Sequence, residues 1–147
     1  MIYIASDHAG IDLKNELIKS FTGLPIKDLG PFNKDSVDYP DYADLVCKQV
    51  SQNWATDHFG VLICGSGQGM AIRANKYSHI RAALVWNREI TQLSREHNDA
   101  NVLCLPGRFI SLNEAISCFE TFQKTKFLEG RHSQRVAKLS KPSNNSI

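Results

Sequence analysis

Five short apolar segments alternate along the chain with segments in which apolar residues recur every three or four positions. The apolar segments are Ile2–Ser6, Pro25–Leu29, Phe59–Cys64, Arg81–Val85 and Val102–Leu105. Runs of this length are typical of buried strands, and the longer spacing is typical of amphipathic helices. Because strands that are apolar on both faces need helices on both sides, we predict an α/β fold. It would be a three-layer αβα sandwich around a five-stranded parallel sheet.

The segments between the strands predict helices with defined faces. The second helix has a buried stripe formed by Tyr39, Tyr42, Ala43, Val46 and Val50, and the fourth places Trp86, Ile90, Leu93 and His97 on one apolar face. The third helix is expected from Gln68 to Lys76, and the last from His132 to Leu139.

Length and composition limit the class of protein. The 147 residues suit a single domain, 1–147, with a flexible tail from about residue 141, and the 42% apolar content suits a soluble globular chain. A net charge of +2 does not indicate a nucleic-acid partner, and no apolar run approaches the roughly 20 residues of a membrane span. The four cysteines lack the paired spacing of a disulfide scaffold or zinc site, so we expect a cytoplasmic protein without a metal.

The third strand ends in Cys64, which is followed by three glycines at alternate positions, Gly65, Gly67 and Gly69. Glycines let the backbone approach a ligand closely, and the free N–H groups at the start of the next helix favour an anion. A thiol beside a helix start is also ionised more readily, so Cys64 is a candidate for acting on a substrate that develops negative charge. The same pattern is compatible with a structural turn beside a small buried cysteine.

Two other kinds of loop fit this segment less well. A dinucleotide-binding loop needs its third glycine where this chain has Met70, and an acidic residue at the next strand end, where it has Trp86 and Asn87. A cysteine phosphatase loop closes with an arginine soon after its cysteine, but Arg73 lies nine residues on. We therefore favour neither.

Polar residues follow three of the predicted strands. Asp7 and His8 follow the first strand, Cys64 ends the third, and Arg108 follows the fifth. In parallel sheets ligands collect beyond the carboxyl ends of the strands. We therefore expect these residues on one edge of the sheet, together with the glycine loop.

Two further groups lie near predicted helix ends. His97 and Asn98 end the fourth helix, and such a histidine is either a partly buried structural residue or an acid–base group. Arg131 and Arg135 are four residues apart on one face of the last helix, which is either a solvated basic face or a phosphate clamp. The residues alone leave both questions open.

Six segments, in order, resemble ribose-5-phosphate isomerase of the B type from Met1 to about Leu139. They are Ser6–Gly10, Asp38–Pro40, Ile63–Gly69, Ala74–Lys76, Ser94–Leu103 and Arg131–Val136. The resemblance implies a Rossmann-like sheet with strand order 2-1-3-5-4 and a sugar-phosphate isomerase that needs no cofactor. It also implies a homodimer whose active sites each take residues from both chains. Whether dimers pair into tetramers, and whether the substrate is ribose 5-phosphate or a six-carbon sugar 6-phosphate of the allose or galactose type, stays open.

The resemblance also implies a role for each matched residue in interconverting D-ribose 5-phosphate and D-ribulose 5-phosphate. Cys64 would move the proton between C2 and C1, His97 would open the sugar ring with Asn98 beside it, and Ser66 would help move a proton between O1 and O2. The binding residues would be Gly65, Gly67, Gln68 and Gly69 for the enediolate, Asp7 and His8 for the sugar phosphate, and Arg108, Arg131 and Arg135 for the phosphate. One branch of the family uses a glutamate later in the loop instead of the cysteine. Met70 stands at that position, which places the chain in the cysteine branch.

Two functions of other classes would use the same features. A regulatory module would bind a phosphosugar or nucleotide without exchanging the C2 proton of ribose 5-phosphate with solvent. An RNA-binding protein using the last helix would show strongly salt-dependent affinity. The chain lacks a basic surface interleaved with aromatic residues, which argues against RNA.

Overall fold

The protein, described by a computed structural model over residues 1–53 and 57–141, alternates strands and helices from end to end. The strands are β1 (Ile2–Ser6), β2 (Ile26–Asp28), β3 (Phe59–Cys64), β4 (Ala82–Leu84) and β5 (Val102–Pro106). The α-helices are α1 (Ile11–Ser20), α2 (Tyr39–Gln52), α3 (Gln68–Ala74), α4 (Arg88–Asn98), α5 (Leu112–Lys124) and α6 (Ser133–Leu139), and a 3₁₀ turn, Gly130–His132, precedes α6. The tail predicted beyond residue 141 lies outside the described residues. Within these ranges, no helix combines the length and the apolar character needed to cross a membrane.

The five strands form one parallel sheet in the order β2-β1-β3-β5-β4, which confirms the predicted fold class and strand order. β3 is the central strand. Ser6 is in register with Ile63, and Cys64 is in register with Pro106. The carboxyl ends of β1, β3 and β5 are therefore level with one another.

Helices cover both faces of the sheet. On one face, Leu17 of α1 and Phe119 of α5 are fully buried against a cluster that includes Ile4 of β1. On the other face, Val46 of α2 and Met70 of α3 belong to a second buried cluster. Burial of this kind supplies roughly 1.5–3 kcal/mol for each large apolar side chain, so the two clusters hold the three layers together.

Some element boundaries differ from the sequence prediction. β2 and β4 are each one residue shorter at both ends, because an edge strand has a hydrogen-bonded partner on one side only. α3 ends at Ala74 because the Asn75 side chain hydrogen-bonds the backbone of Ala82 at 2.8 and 2.9 Å. The last α-helix starts at Ser133, so Arg131 lies in the 3₁₀ turn and does not share an α-helical face with Arg135.

The apolar face predicted for the fourth helix is only partly its buried face, since Ile90 packs against the core. The buried residues of α4 are Thr91 and Ser94, whereas Trp86 is 52% exposed and Leu93 is 37% exposed. Tyr39 is also exposed rather than part of the buried stripe, because it is the first residue of α2. A single chain therefore leaves Leu93 of α4, and Trp86 just before that helix, at its surface.

Candidate active site

Three backbone hydrogen bonds join the polar residues at the carboxyl ends of β1, β3 and β5. The N–H of Asp7 donates to the carbonyl of Ile63 at 3.0 Å, and the N–H of Gly107 donates to the carbonyl of Cys64 at 2.8 Å. The N–H of Arg108 donates to the carbonyl of Gly65 at 3.0 Å. The residues predicted at this edge are thus brought together, and we call them the cysteine half-site: Asp7, His8, Cys64, Gly65–Gly69 and Arg108.

Cys64 is the last residue of β3, and only 4% of its surface is exposed. The loop after it depends on Gly67, which has a φ of 73° and precedes the first residue of α3. A Cβ at Gly67 would lie 2.4 Å from the Leu84 side chain and 3.2 Å from the backbone of Leu105. No other residue type fits this position without displacing those neighbours, so the tight turn beside the thiol requires glycine.

The other three cysteines are unlike Cys64 in position. Cys47, Cys104 and Cys118 are fully buried inside helices or in the middle of β5. Burial raises the pKa of the Cys47 thiol to about 12 and also raises the pKa values of Cys104 and Cys118. Those three thiols therefore stay protonated near neutral pH, which suits packing and not proton transfer.

Asp7 and His8 are held by the backbone around them. One carboxylate oxygen of Asp7 accepts hydrogen bonds from the N–H groups of Ala9 and Gly10, both at 2.9 Å, so it caps the turn before α1. The Nδ1 atom of His8 accepts a hydrogen bond from the N–H of Val37 at 3.4 Å. Because that bond needs a lone pair on Nδ1, the neutral ring carries its proton on Nε2, the nitrogen left to donate to a ligand.

The sequence prediction missed Tyr39 as a residue of this edge. A Cβ at Gly69 would lie 2.6 Å from the Tyr39 ring, so the ring packs directly against the glycine loop. Pro40 fixes the start of α2, and this puts Tyr39 at the exposed first position of the helix. The matched segment Asp38–Pro40 could have pointed to Tyr39 as a site residue. The apolar spacing of Tyr39 with the rest of the helix indicated a buried residue instead.

The predicted acid–base histidine lies at the opposite end of the sheet. His97 is in the last turn of α4, five residues before β5 begins. It is nine residues along α4 from Arg88, an axial distance of about 13 Å. Since α4 runs from the carboxyl end of the sheet back to the amino end, the His97 and Cys64 side chains of one chain cannot meet.

A second group surrounds His97. The His97 and His132 rings stack, with centroids 4.3 Å apart and planes 10° from parallel. Burial lowers the pKa of His132, and the charges of His97, Arg131 and Arg135 lower it further. We call these residues, together with Asn98, the histidine half-site. His132 was missed from the sequence because stacking between residues 35 positions apart has no local signal.

Metal ligation has no support in the described residues. Over 1–53 and 57–141, no group of three or more histidine, cysteine, aspartate or glutamate side chains is arranged to hold an ion. The two half-sites contain a thiol, imidazoles, guanidinium groups and backbone N–H donors.

The chain is similar to known proteins over nearly its whole length. The sequence model of the family described as Ribose/Galactose Isomerase matches residues 2–139. The probable ribose-5-phosphate isomerase B of Mycoplasma pneumoniae is 45% identical to this chain, over 94% of this chain and 91% of that protein.

Two solved structures share the fold. A ribose 5-phosphate isomerase from Thermotoga maritima has a TM-score of 0.91 and 44% identity, with 95% of this chain and 96% of that chain covered. Ribose-5-phosphate isomerase B from Mycoplasma genitalium, solved with bound ribulose-5-phosphate, has a TM-score of 0.89 and 40% identity, with 95% and 93% covered.

Proposed function

Because this chain belongs to the ribose/galactose isomerase family, we propose that it interconverts D-ribose 5-phosphate and D-ribulose 5-phosphate. The observation that carries this proposal is the position of Cys64. Cys64 is the last residue of the central strand and lies beside a glycine loop. This is the carboxyl edge of the sheet, where parallel sheets bind ligands. The ribulose-5-phosphate bound by the Mycoplasma genitalium relative supports the choice of substrate.

Each active site would be completed by a second copy of the chain. The cysteine and histidine half-sites lie at opposite ends of the sheet, so one chain supplies Cys64 to a site and its partner supplies His97. A two-fold axis produces two such sites, because the same surface is used by both copies. Two exposed apolar side chains, Leu93 of α4 and Trp86 just before it, support a homodimer as the working form.

Cys64 would act as the base that moves a proton between C2 and C1. Removing a proton next to a carbonyl places negative charge on oxygen, and fixed backbone donors stabilise that charge without rearranging. The N–H groups of Gly65, Gly67, Gln68 and Gly69 are suited to this role, since the loop is held rigidly against Leu84 and Tyr39. Ser66, whose side chain is exposed, would move the proton between O1 and O2.

His97 would open the sugar ring, with Asn98 beside it. Ribose 5-phosphate is mostly a closed furanose, and C2 cannot lose its proton until the ring oxygen has been protonated. Ribulose 5-phosphate cannot form the corresponding five-membered ring, because the oxygen it would need carries the phosphate. His97 is therefore needed chiefly when ribose 5-phosphate is the substrate.

The remaining residues would hold the phosphosugar. His8, with its proton on Nε2, and the second carboxylate oxygen of Asp7 would bind it from one chain, together with Arg108. Arg131 and Arg135 would bind the phosphate from the partner chain. Binding energy from this remote group can hold C1 and C2 in place for proton transfer.

An isomerase assay decides between the candidate substrates. Purified protein should convert ribose 5-phosphate to ribulose 5-phosphate and exchange the C2 proton with solvent deuterium. A parallel assay with allose 6-phosphate and galactose 6-phosphate measures the preference for five or six carbons. Binding of ribose 5-phosphate with no conversion and no exchange would contradict catalysis and indicate a binding module.

A further inference from the structure

His132 has no role in the proposed reaction, yet it is among the most constrained side chains of the histidine half-site. The residue is 8% exposed, although it ends a short 3₁₀ turn and lies in the sequence between two exposed arginines, Arg131 and Arg135. One face of the ring lies against His97 at a centroid distance of 4.3 Å. A planar contact of this kind restricts rotation of both imidazoles about the Cβ–Cγ bond.

The backbone holds the two histidines in place. The segment after α5 is fixed to the last turn of α4, since the N–H of Leu128 donates to the carbonyl of Glu96 at 3.1 Å. The Arg95 guanidinium donates to the carbonyl of Thr125 at 3.2 Å. The segment that leads to His132 is therefore tied to the turn of α4 that carries His97.

The turn that carries His132 is reached through an unfavourable backbone conformation. Glu129 has a φ of 57° and a ψ of −137°, which residues with a Cβ rarely adopt, and Gly130 has a φ of 56°. Such conformations cost on the order of 1–3 kcal/mol and persist where the surrounding structure demands them. This turn brings His132 against His97.

We propose that His132 is a positioning residue for ring opening, and that its imidazole fixes the plane of the His97 ring that delivers a proton to the sugar. This inference rests on the proposed function of His97. Burial and the charges of His97, Arg131 and Arg135 lower the pKa of His132, which favours its neutral form beside these groups. A general acid that is displaced from its position loses much of the 10²- to 10⁴-fold rate acceleration that a positioned acid provides.

Two substitutions separate positioning from phosphate binding. His132→Phe keeps a flat ring but removes both nitrogens, whereas His132→Leu removes the flat ring. If stacking positions His97, the Leu variant should lose at least about tenfold in kcat from ribose 5-phosphate, with the reverse reaction little changed. The Phe variant should retain most of the forward rate, and Lys138→Ala, an exposed change on α6, serves as the control.

Other results would overturn the proposal. In one such result, the Leu variant loses kcat equally in the forward and reverse reactions; in another, the Phe variant loses as much as the Leu variant. Either result would assign His132 to phosphate binding or to folding. A strongly raised KM in both variants with kcat unchanged would do the same. Thermal unfolding of each variant identifies a general loss of structure.

A second measurement does not depend on turnover. The ring protons of His97, assigned by their loss in His97→Asn, should be shifted by the ring current of His132. They should move downfield in His132→Leu, which has no ring current, and should stay shifted upfield in His132→Phe, which keeps one. A His97 signal that is unchanged in the Leu variant would exclude the positioning contact itself, whereas inactive wild-type protein would count against the proposed function alone.

Discussion

The ammonium group of Lys14 donates to both carboxylate oxygens of Asp28, at 2.6 and 2.7 Å, although the lysine side chain is completely buried. It also donates to the carbonyl of Pro31 at 2.9 Å, and Asp28 accepts from the N–H of Gly30 at 2.8 Å. The carbonyl of Gly30 in turn accepts from the N–H of Ser6, the residue before Asp7. An ion pair between the buried Lys14 and the partly exposed Asp28 thus connects α1, β2 and the end of β1 beside the cysteine half-site.

This ion pair predicts a large change in stability when one partner is removed. Lys14→Met should lower the free energy of unfolding by about 3 kcal/mol, because it leaves the Asp28 carboxylate without its charged partner. The double variant Lys14→Met, Asp28→Asn should recover part of that loss. Urea unfolding at one fixed protein concentration measures the change, since the stability of a dimer depends on concentration. Lys19→Met, in an exposed pair with Glu16, should cost less than about 1 kcal/mol.

The assignment of Cys64 as the base predicts that Cys64→Ala lowers kcat by at least 10²-fold, the usual minimum value of a positioned base. Binding of ribose 5-phosphate should change little, because the phosphate contacts remain. Steady-state kinetics and calorimetric titration give the two quantities. Cys118→Ala removes a buried thiol on the opposite face of the sheet and should leave kcat near the wild-type value. A Cys64→Ala variant that keeps a tenth of the activity would exclude this base.

The phosphate role of the arginines predicts a change in KM. Arg131→Ala and Arg135→Ala should each raise KM about tenfold or more, because a hydrogen bond to a charged group contributes about 1.5–3 kcal/mol. Reaction with ribose, which lacks the phosphate, should be affected much less. Lys138→Ala removes a positive charge from α6, the helix that carries Arg135, and should have little effect. The clamp is wrong if both arginine variants bind inorganic phosphate as tightly as the wild type.

Ring opening by His97 predicts a directional defect. His97→Asn should impair conversion of ribose 5-phosphate far more than conversion of ribulose 5-phosphate, which arrives with its chain open. The imbalance is allowed thermodynamically, because the variant would release open-chain ribose 5-phosphate that closes in solution. Initial rates in both directions measure it. Equal fractional losses would mean that His97 serves the enediolate step or the packing of α4.

The sequence predicted the layers of the fold and the cysteine half-site because both depend on local patterns. Strand runs, helical spacing and the glycine loop each lie within a dozen residues, and β1 and β3 were located to the residue. The edge strands were too long because sequence spacing does not reveal which strands lack a neighbour. Tyr39 and the buried face of α4 were misjudged for a similar reason: apolar spacing marks a face, but it does not say whether that face meets the core or another chain. His132 depends on a tertiary contact, and so does its pairing with His97.

The opposite positions of Cys64 and His97 predict that two inactive variants complement each other. Dimers of Cys64→Ala lack the base in both sites, and dimers of His97→Asn lack the acid in both. In a mixed dimer, one site receives both substitutions, and the other receives Cys64 from one chain and His97 from its partner. Random pairing makes half of the dimers mixed, so about a quarter of the wild-type activity should return.

Denaturing and refolding the two variants together, with each alone as a reference, measures this recovery. A matched control combines Cys64→Ala with Arg108→Ala. Both of these residues belong to the cysteine half-site, so every site in the mixed dimer carries one substitution and activity should stay at the level of the parents. If the refolded mixture of Cys64→Ala and His97→Asn also recovers no activity, one chain supplies both groups to each site. That outcome conflicts with the direction of α4, which runs from the carboxyl end of the sheet toward the amino end and places His97 about 13 Å along its axis from Arg88.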